Sequence, residues 1–211
     1  MQDRSLSSIL ASLLGVAALV WVLTCVSVPV QAQSPQTVRV RGTVVSLGGN
    51  TLVVKSRNGE TVPIRLTDSW SVSGVVKASL ADIKPGTYIG TAAMPQRDGT
   101  LRALEVLIFP EAMRGVGEGH SPWDLLPEST MTNATVSEAV QAVDGHRLTL
   151  TYKGEQKVVA VPPDVPIVTL TPAQKADVTA GVPVFVSTQR QPDGSLTAGR
   201  VTVGLGTAPP M

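Results

Sequence analysis

Beyond residue 35 the chain is written in short runs of alternating apolar and polar positions. Val38, Val40 and Val44 alternate with Arg39 and Arg41, the period of two that marks a half-buried strand. Gly48-Gly49-Asn50 turns into a second strand at Leu52-Val53-Val54. Asn58-Gly59, where both positions tolerate positive φ, leads to a third with Val62, Ile64 and Leu66 on one face. Pro63 has no N–H for a ladder and belongs at an edge or an unpaired position. Residues 78–83 read as a short helix stopped by Pro85-Gly86. A fourth strand spans 88–93. Asp98-Gly99 is a turn, and the fifth strand, 101–109, is predicted to bury Leu104, Val106 and Ile108.

The second half repeats the first at a spacing of 95 residues. Ala78-Ser79-Leu80-Ala81-Asp82-Ile83-Lys84-Pro85-Gly86 returns as Ala173-Gln174-Lys175-Ala176-Asp177-Val178-Thr179-Ala180-Gly181, and Asp98-Gly99-Thr100-Leu101 as Asp193-Gly194-Ser195-Leu196. Asp144-Gly145 turns into Leu148-Thr149-Leu150, and Lys153-Gly154-Glu155 stands in for the Asn-Gly hairpin. Thr171-Pro172-Ala173 reads as an N-cap with proline at the first helical position. A period this long fixes the number of folding units. Two copies suit two small domains, since a solenoid needs at least about three stacked repeats. The order β-β-β-α-β-β predicts an all-β protein of two tandem OB-like five-stranded barrels, each with a short helix between strands three and four. A β-sandwich is the competing architecture. The expected segments are a leader at 1–32, a first barrel at 33–110, a structured Gly/Trp linker at 111–133, a second barrel at 134–205 and a loose tail at 206–211.

Residues 9–30 carry no charge, Arg4 precedes them, and Val30-Gln31-Ala32 follows. That layout is a secretory signal helix cut after Ala32. An uncleaved anchor spanning about 30 Å of hydrocarbon is the alternative. The expected address is the periplasm or the cell exterior, with membrane contact only through residues 9–30 if they are retained. Cys25 is the only cysteine, so beyond the leader disulfides, thiolate metal sites and a cysteine nucleophile are excluded together. After Ala32 sixteen Lys and Arg face fifteen Asp and Glu. A surface so nearly neutral argues against nucleic acid as a partner.

Gly42-Thr43-Val44-Val45, Thr51-Leu52-Val53-Val54, residues 78–86 and Asp98-Gly99-Thr100-Leu101 resemble an exported bacterial OB-like β-barrel domain family of unknown function. The resemblance covers the first repeat well and the second weakly, where Thr179-Ala180-Gly181 replaces Lys84-Pro85-Gly86. It implies a fold and an exported location and brings no catalytic residues. Some similar proteins carry a metal-transporter permease label, which one hydrophobic segment cannot satisfy, because a translocation path needs several helices.

Candidate chemistry is concentrated between the repeats, at Met113-Arg114-Gly115-Val116-Gly117-Glu118-Gly119-His120-Ser121-Pro122-Trp123-Asp124. Glu118, His120 and Asp124 are candidate ligands for a divalent metal, although two carboxylates and one histidine fall short of a recognised zinc pattern. Trp123 is the candidate hydrophobic anchor, with Arg114 and Trp70 as further interface residues. His146 is read as an exposed hairpin residue. Asp82 and Asp177, at matching repeat positions, are read as structural. No Gly-x-Ser-x-Gly elbow is present, and Ser121 beside His120 is a sequence neighbour rather than a triad. The sequence therefore predicts a non-enzymatic binding or assembly module of the cell envelope, whose partner is an envelope protein or a small ligand. A periplasmic metal- or small-ligand-binding accessory protein is the alternative.

Overall fold

The architecture follows from where each strand finds its partners. A computed structural model describes residues 36–143 and 145–209; the expected leader and Asp144 lie outside them. Among the described residues there are twelve strands: β1 (Thr37–Gly48), β2 (Thr51–Ser56), β3 (Thr61–Lys77), β4 (Tyr88–Pro95), β5 (Leu101–Ile108), β6 (Gly119–Pro122), β7 (Thr130–Ala142), β8 (Gly145–Tyr152), β9 (Glu155–Val161), β10 (Ile167–Pro172), β11 (Pro183–Arg190) and β12 (Leu196–Gly204). The only helices among the described residues are single 3-10 turns at Leu80–Asp82, Glu111–Met113 and Lys175–Asp177.

The protein is all-β and contains a closed five-stranded barrel, as the OB-like pattern implies. β1 pairs with β2, β2 with β3, β3 in parallel with β12, β12 with β11, and β11 with β1. The remaining long strands repeat this circuit: β7–β8–β9, then β9 in parallel with β5, β5 with β4, and β4 with β7. Each ring takes three strands from one repeat and a hairpin from the other. This corrects the expected one barrel per repeat at 33–110 and 134–205. Strands β1–β3 are closed by β11–β12 of the second repeat, and β7–β9 by β4–β5 of the first.

The exchange is carried by β3 and β10. β3 runs on past its own barrel to Lys77, and its last residues pair antiparallel with β10. Val75 faces Leu170, its own counterpart 95 positions on, so the two halves meet about a local two-fold relation. β10 also pairs in parallel with β5, and the equivalent end of β3 pairs in parallel with β12. One continuous hydrogen-bonded sheet therefore joins the two rings.

Each ring encloses its own apolar core drawn from both repeats. Val40, Val44, Leu52, Val54, Ile64, Leu66 and Trp70 pack with Val178, Val184, Val186, Val201 and Val203. Ile83, Ile89, Leu101 and Val106 pack with Val136, Leu148, Leu150, Tyr152 and Val159. The predicted helix at 78–83 shrinks to one 3-10 turn. Its duplicate begins at Lys175, so Thr171-Pro172 ends β10 and caps nothing. Asp82 Oδ2 accepts the Ser79 N–H at 2.8 Å and Asp177 Oδ2 the Gln174 N–H at 2.7 Å, a local closure that gives the duplicated acids a structural role. At Asn58-Gly59 only the glycine takes positive φ. Pro63 faces Val53 of β2, and β12 joins β3 only from Arg65, so its missing donor costs no ladder bond. In the expected loose tail Thr207 and Pro209 pack back on Gly204 and Pro209 is buried, while positions 210–211 lie outside the described residues.

Candidate functional site

A register slip in β5 creates the most distinctive concavity. Ala92 pairs with Glu105 but Ala93 with Ala103, so Leu104 is an extra residue in the ladder, a β-bulge. Before it Leu101 and Ala103 face the core; after it the inward position passes to Val106. Leu104 is thus not buried as expected. Glu105, Leu107 and Phe109 turn instead to the outer face, beside Gly90 and Ala92 of β4 and Met131 and Asn133 of β7. Without the slip, simple alternation would aim Glu105 into the apolar barrel, where an ionised carboxylate is costly.

Over this floor lie Gly117, Gly119, Ser121 and Trp123 of the segment joining β5 to β7, and Phe185 reaches in from β11 of the other ring. The enclosed volume is about 320 Å³. Both phenylalanines of a chain that is only 3% aromatic line it, together with Trp123. Glu105 is 6% exposed. Gly90 keeps the floor open: a Cβ there would stand 2.6 Å from Asn133 Oδ1 and 3.1 Å from the Phe109 ring. Gly90 and Phe185 occupy the same repeat position, 95 residues apart. One copy opens the cavity by having no side chain, and the other walls it with a ring.

Trp123 is wedged between the two rings. Its backbone N–H donates to the Ser129 carbonyl at 2.7 Å, which tightens the turn that carries it. The Arg39 guanidinium lies 3.9 Å above its ring and that of Arg41 at 5.8 Å. Arg41 is also 5.4 Å from the ring of Phe185, its ladder partner in β11. Asp124 closes the arrangement, accepting from Arg41 Nη2 at 2.6 Å and pairing with Arg39 Nη1 at 3.5 Å. Partial burial pushes the Asp124 carboxyl up, but the Arg41 hydrogen bond and the two positive charges outweigh it and hold it below the ordinary range.

The three candidate metal ligands are not brought together. Asp124 is held by the arginines of β1. Glu118 Oε1 accepts the Lys153 backbone N–H at 3.1 Å. The His120 ring nitrogen Nδ1 shares a 2.8 Å hydrogen bond with the Thr132 hydroxyl, and the ring stacks on Tyr152 at 6.4 Å. Burial, reinforced by Lys157, lowers the His120 pKa from its ordinary value. Among the described residues no three His, Cys, Asp or Glu side chains group closely enough to hold a metal. His146 lies within β8, opposite Gln141 and Val161.

Of the expected interface residues, Trp70 is a core side chain, 6% exposed. Arg114 is a strut: it grips Glu111 at 2.6 and 2.7 Å and donates to the Gly86 carbonyl at 2.9 Å. Only Trp123 stands at a cavity. Glu105, Phe109 and Phe185 were not singled out from sequence. The available signal was Glu105 itself, one charge inside the apolar run from Ala103 to Phe109.

No protein-family model, no curated protein and no solved structure matches the chain. The resemblance to an exported OB-like family thus rests on the quoted motifs alone.

Proposed function

We propose that this protein is an exported, non-catalytic binding module of the cell envelope, built on two OB-like barrels that share their hairpins, with its ligand site in the cavity beneath Trp123. The observation that carries the reading is the convergence of Phe109, Phe185, Trp123 and Met131 on one small cavity that also holds Glu105 and Asn133. Ligand sites are characteristically apolar concavities of about 300 Å³ or more with a few placed polar groups. The chemistry fits a small apolar molecule, or an apolar side chain of an envelope partner, that offers a hydrogen-bond donor to the Glu105–Asn133 side. Trp123 is the anchor because one side chain lines the cavity and stacks on Arg39.

A neutral amine-bearing fluorophore, 1-aminoanthracene, is a suitable probe. Saturable binding with a blue-shifted emission is expected for the wild type. Gly90→Leu should abolish it by filling the floor, and Glu105→Gln should weaken it. Equal fluorescence from wild type and Gly90→Leu at matched folding would refute the cavity as the site.

A further inference from the structure

The opposite side of the Trp123–Asp124 pair faces a second concavity, and we propose that it binds an extended acidic peptide of a partner protein. This groove, about 970 Å³, lies on the ring of β1, β2, β3, β11 and β12 and is lined by Arg39, Arg41, Arg57, Arg65 and Arg190. Those are five of the eleven arginines in the chain. Among the described residues the only carboxylates in its lining are Glu60 and Asp124. Asp193 stands nearby, tied to the Ser195 hydroxyl and N–H and sensing the charge of Arg65. In a protein with a net charge of only +1, such a concentration is local rather than a by-product of overall basicity.

The chain itself displays the recognition chemistry. The Asp124-Leu125 peptide lies along one end of the groove, and its carboxylate is taken by Arg41 and Arg39 at 2.6 and 3.5 Å. Guanidinium groups suit carboxylates because their planar fork matches two acceptor oxygens. Arg41 also holds a buried Nε with no hydrogen-bond acceptor among the described residues. Arg65 and Arg190 are exposed and belong to the same lining. Among the described residues no aromatic side chain lines the groove, which removes the stacking platform that single-stranded nucleic acid requires. A peptide carrying spaced carboxylates continues the pattern that Asp124 begins. This inference does not rest on the cavity beneath Trp123.

The test is fluorescence anisotropy of a short fluorescein-labelled peptide of alternating Asp and Gly, titrated with the full-length protein at low salt. Saturable binding is expected, weakening as salt is raised. It should weaken about tenfold in the double reversal Arg65→Glu/Arg190→Glu, whose two positions lie on the surface and leave the thermal melt unchanged. The single variants Arg65→Gln and Arg190→Gln, each about threefold weaker, keep the test readable if the double variant does not fold. No binding by the wild type, or equal affinity in these variants, would overturn the proposal. So would displacement of the peptide by oligothymidylate or polyphosphate at lower charge-equivalent concentration than by the unlabelled peptide, since the groove would then prefer another polyanion.

Discussion

Removing the Asp124 carboxylate tests how the connecting segment is held against β1. Asp124→Asn keeps the side chain's shape and deletes its charge. The lost pair is intermediate in burial, with the Arg41 side chain 12% exposed and that of Asp124 46% exposed. A fully exposed pair contributes about 0.2–1 kcal/mol, whereas breaking a fully buried one costs about 3–5 kcal/mol. Solvent screening at the half-exposed Asp124 draws the expectation toward the lower figure, to roughly 1–2 kcal/mol. For a domain of this size that corresponds to a fall of about 2–8 °C in melting temperature. A double-mutant cycle with Arg41→Gln isolates the coupling from other effects of either change. The sign with pH follows from the carboxyl's depressed pKa. Between the folded and unfolded values the unfolded chain binds more protons, so stability rises with pH through that window. The contribution is complete above the ordinary carboxylate value of about 3.9 and disappears as pH falls through the folded value. Wild type and Asp124→Asn should therefore differ at neutral pH and converge in strong acid. A coupling below about 0.3 kcal/mol at low salt, or a difference that persists undiminished in acid, would refute the clamp.

Other consequences are equally direct. Gly42→Ala should be severely destabilising, because its Cβ would lie 2.1 Å from the Lys55 carbonyl oxygen and force β1 and β2 apart; urea denaturation reads the loss. Ile64→Ala and Leu148→Ala, one in each core and both fully buried, should each cost about 2–5 kcal/mol. His120 has a lowered pKa with burial as its main cause, so its contribution to stability is complete above about pH 6.5 and is lost as pH falls through the folded value. His120→Gln should flatten that segment of the stability profile. Trp123→Ala should remove both probe binding in the cavity and recovery of an envelope partner while leaving the circular dichroism of the barrels intact; loss of folding would assign Trp123 to the core.

The strand pattern was legible wherever the ladder is regular. Val40, Val44, Leu52, Val54, Ile64 and Leu66 all face a core, because alternation on a closed sheet leaves only one apolar face. It failed at Leu104, where the extra residue inverts the phase and the single charge of Glu105 in an apolar run is the local mark of the slip. The 95-residue period was visible, but its partner choice was not. β4 and β11 hold matching repeat positions, so either hairpin can satisfy either set of three strands by pattern alone. The choice shows in the structure at the end of β3, which runs 17 residues from Thr61 to Lys77 and leaves its own ring to pair with β10. The cavity was invisible for the same reason, since Phe185 meets Glu105 only after the exchange. Trp123 stood out in the sequence as a bulky ring among glycines, and the structure places that ring at the cavity and against Arg39.

The hairpin exchange places every feature of the site, and cysteine cross-linking tests it most directly. Thr37 pairs with Gln189 across β1 and β11, their side chains 3.1 Å apart. The Arg190 N–H donates to the Gln36 carbonyl, so the neighbouring 37–189 pair is the close, non-hydrogen-bonded kind, at a spacing near 4.5 Å that a disulfide can bridge. With Cys25 replaced by serine, Thr37→Cys/Gln189→Cys should oxidise to an intrachain disulfide in the monomer, identified by peptide mass mapping. Thr37→Cys/Met94→Cys, the pair that would be adjacent if each repeat closed its own barrel, should remain reduced. Efficient bridging of 37 to 94, with none between 37 and 189, would contradict the account.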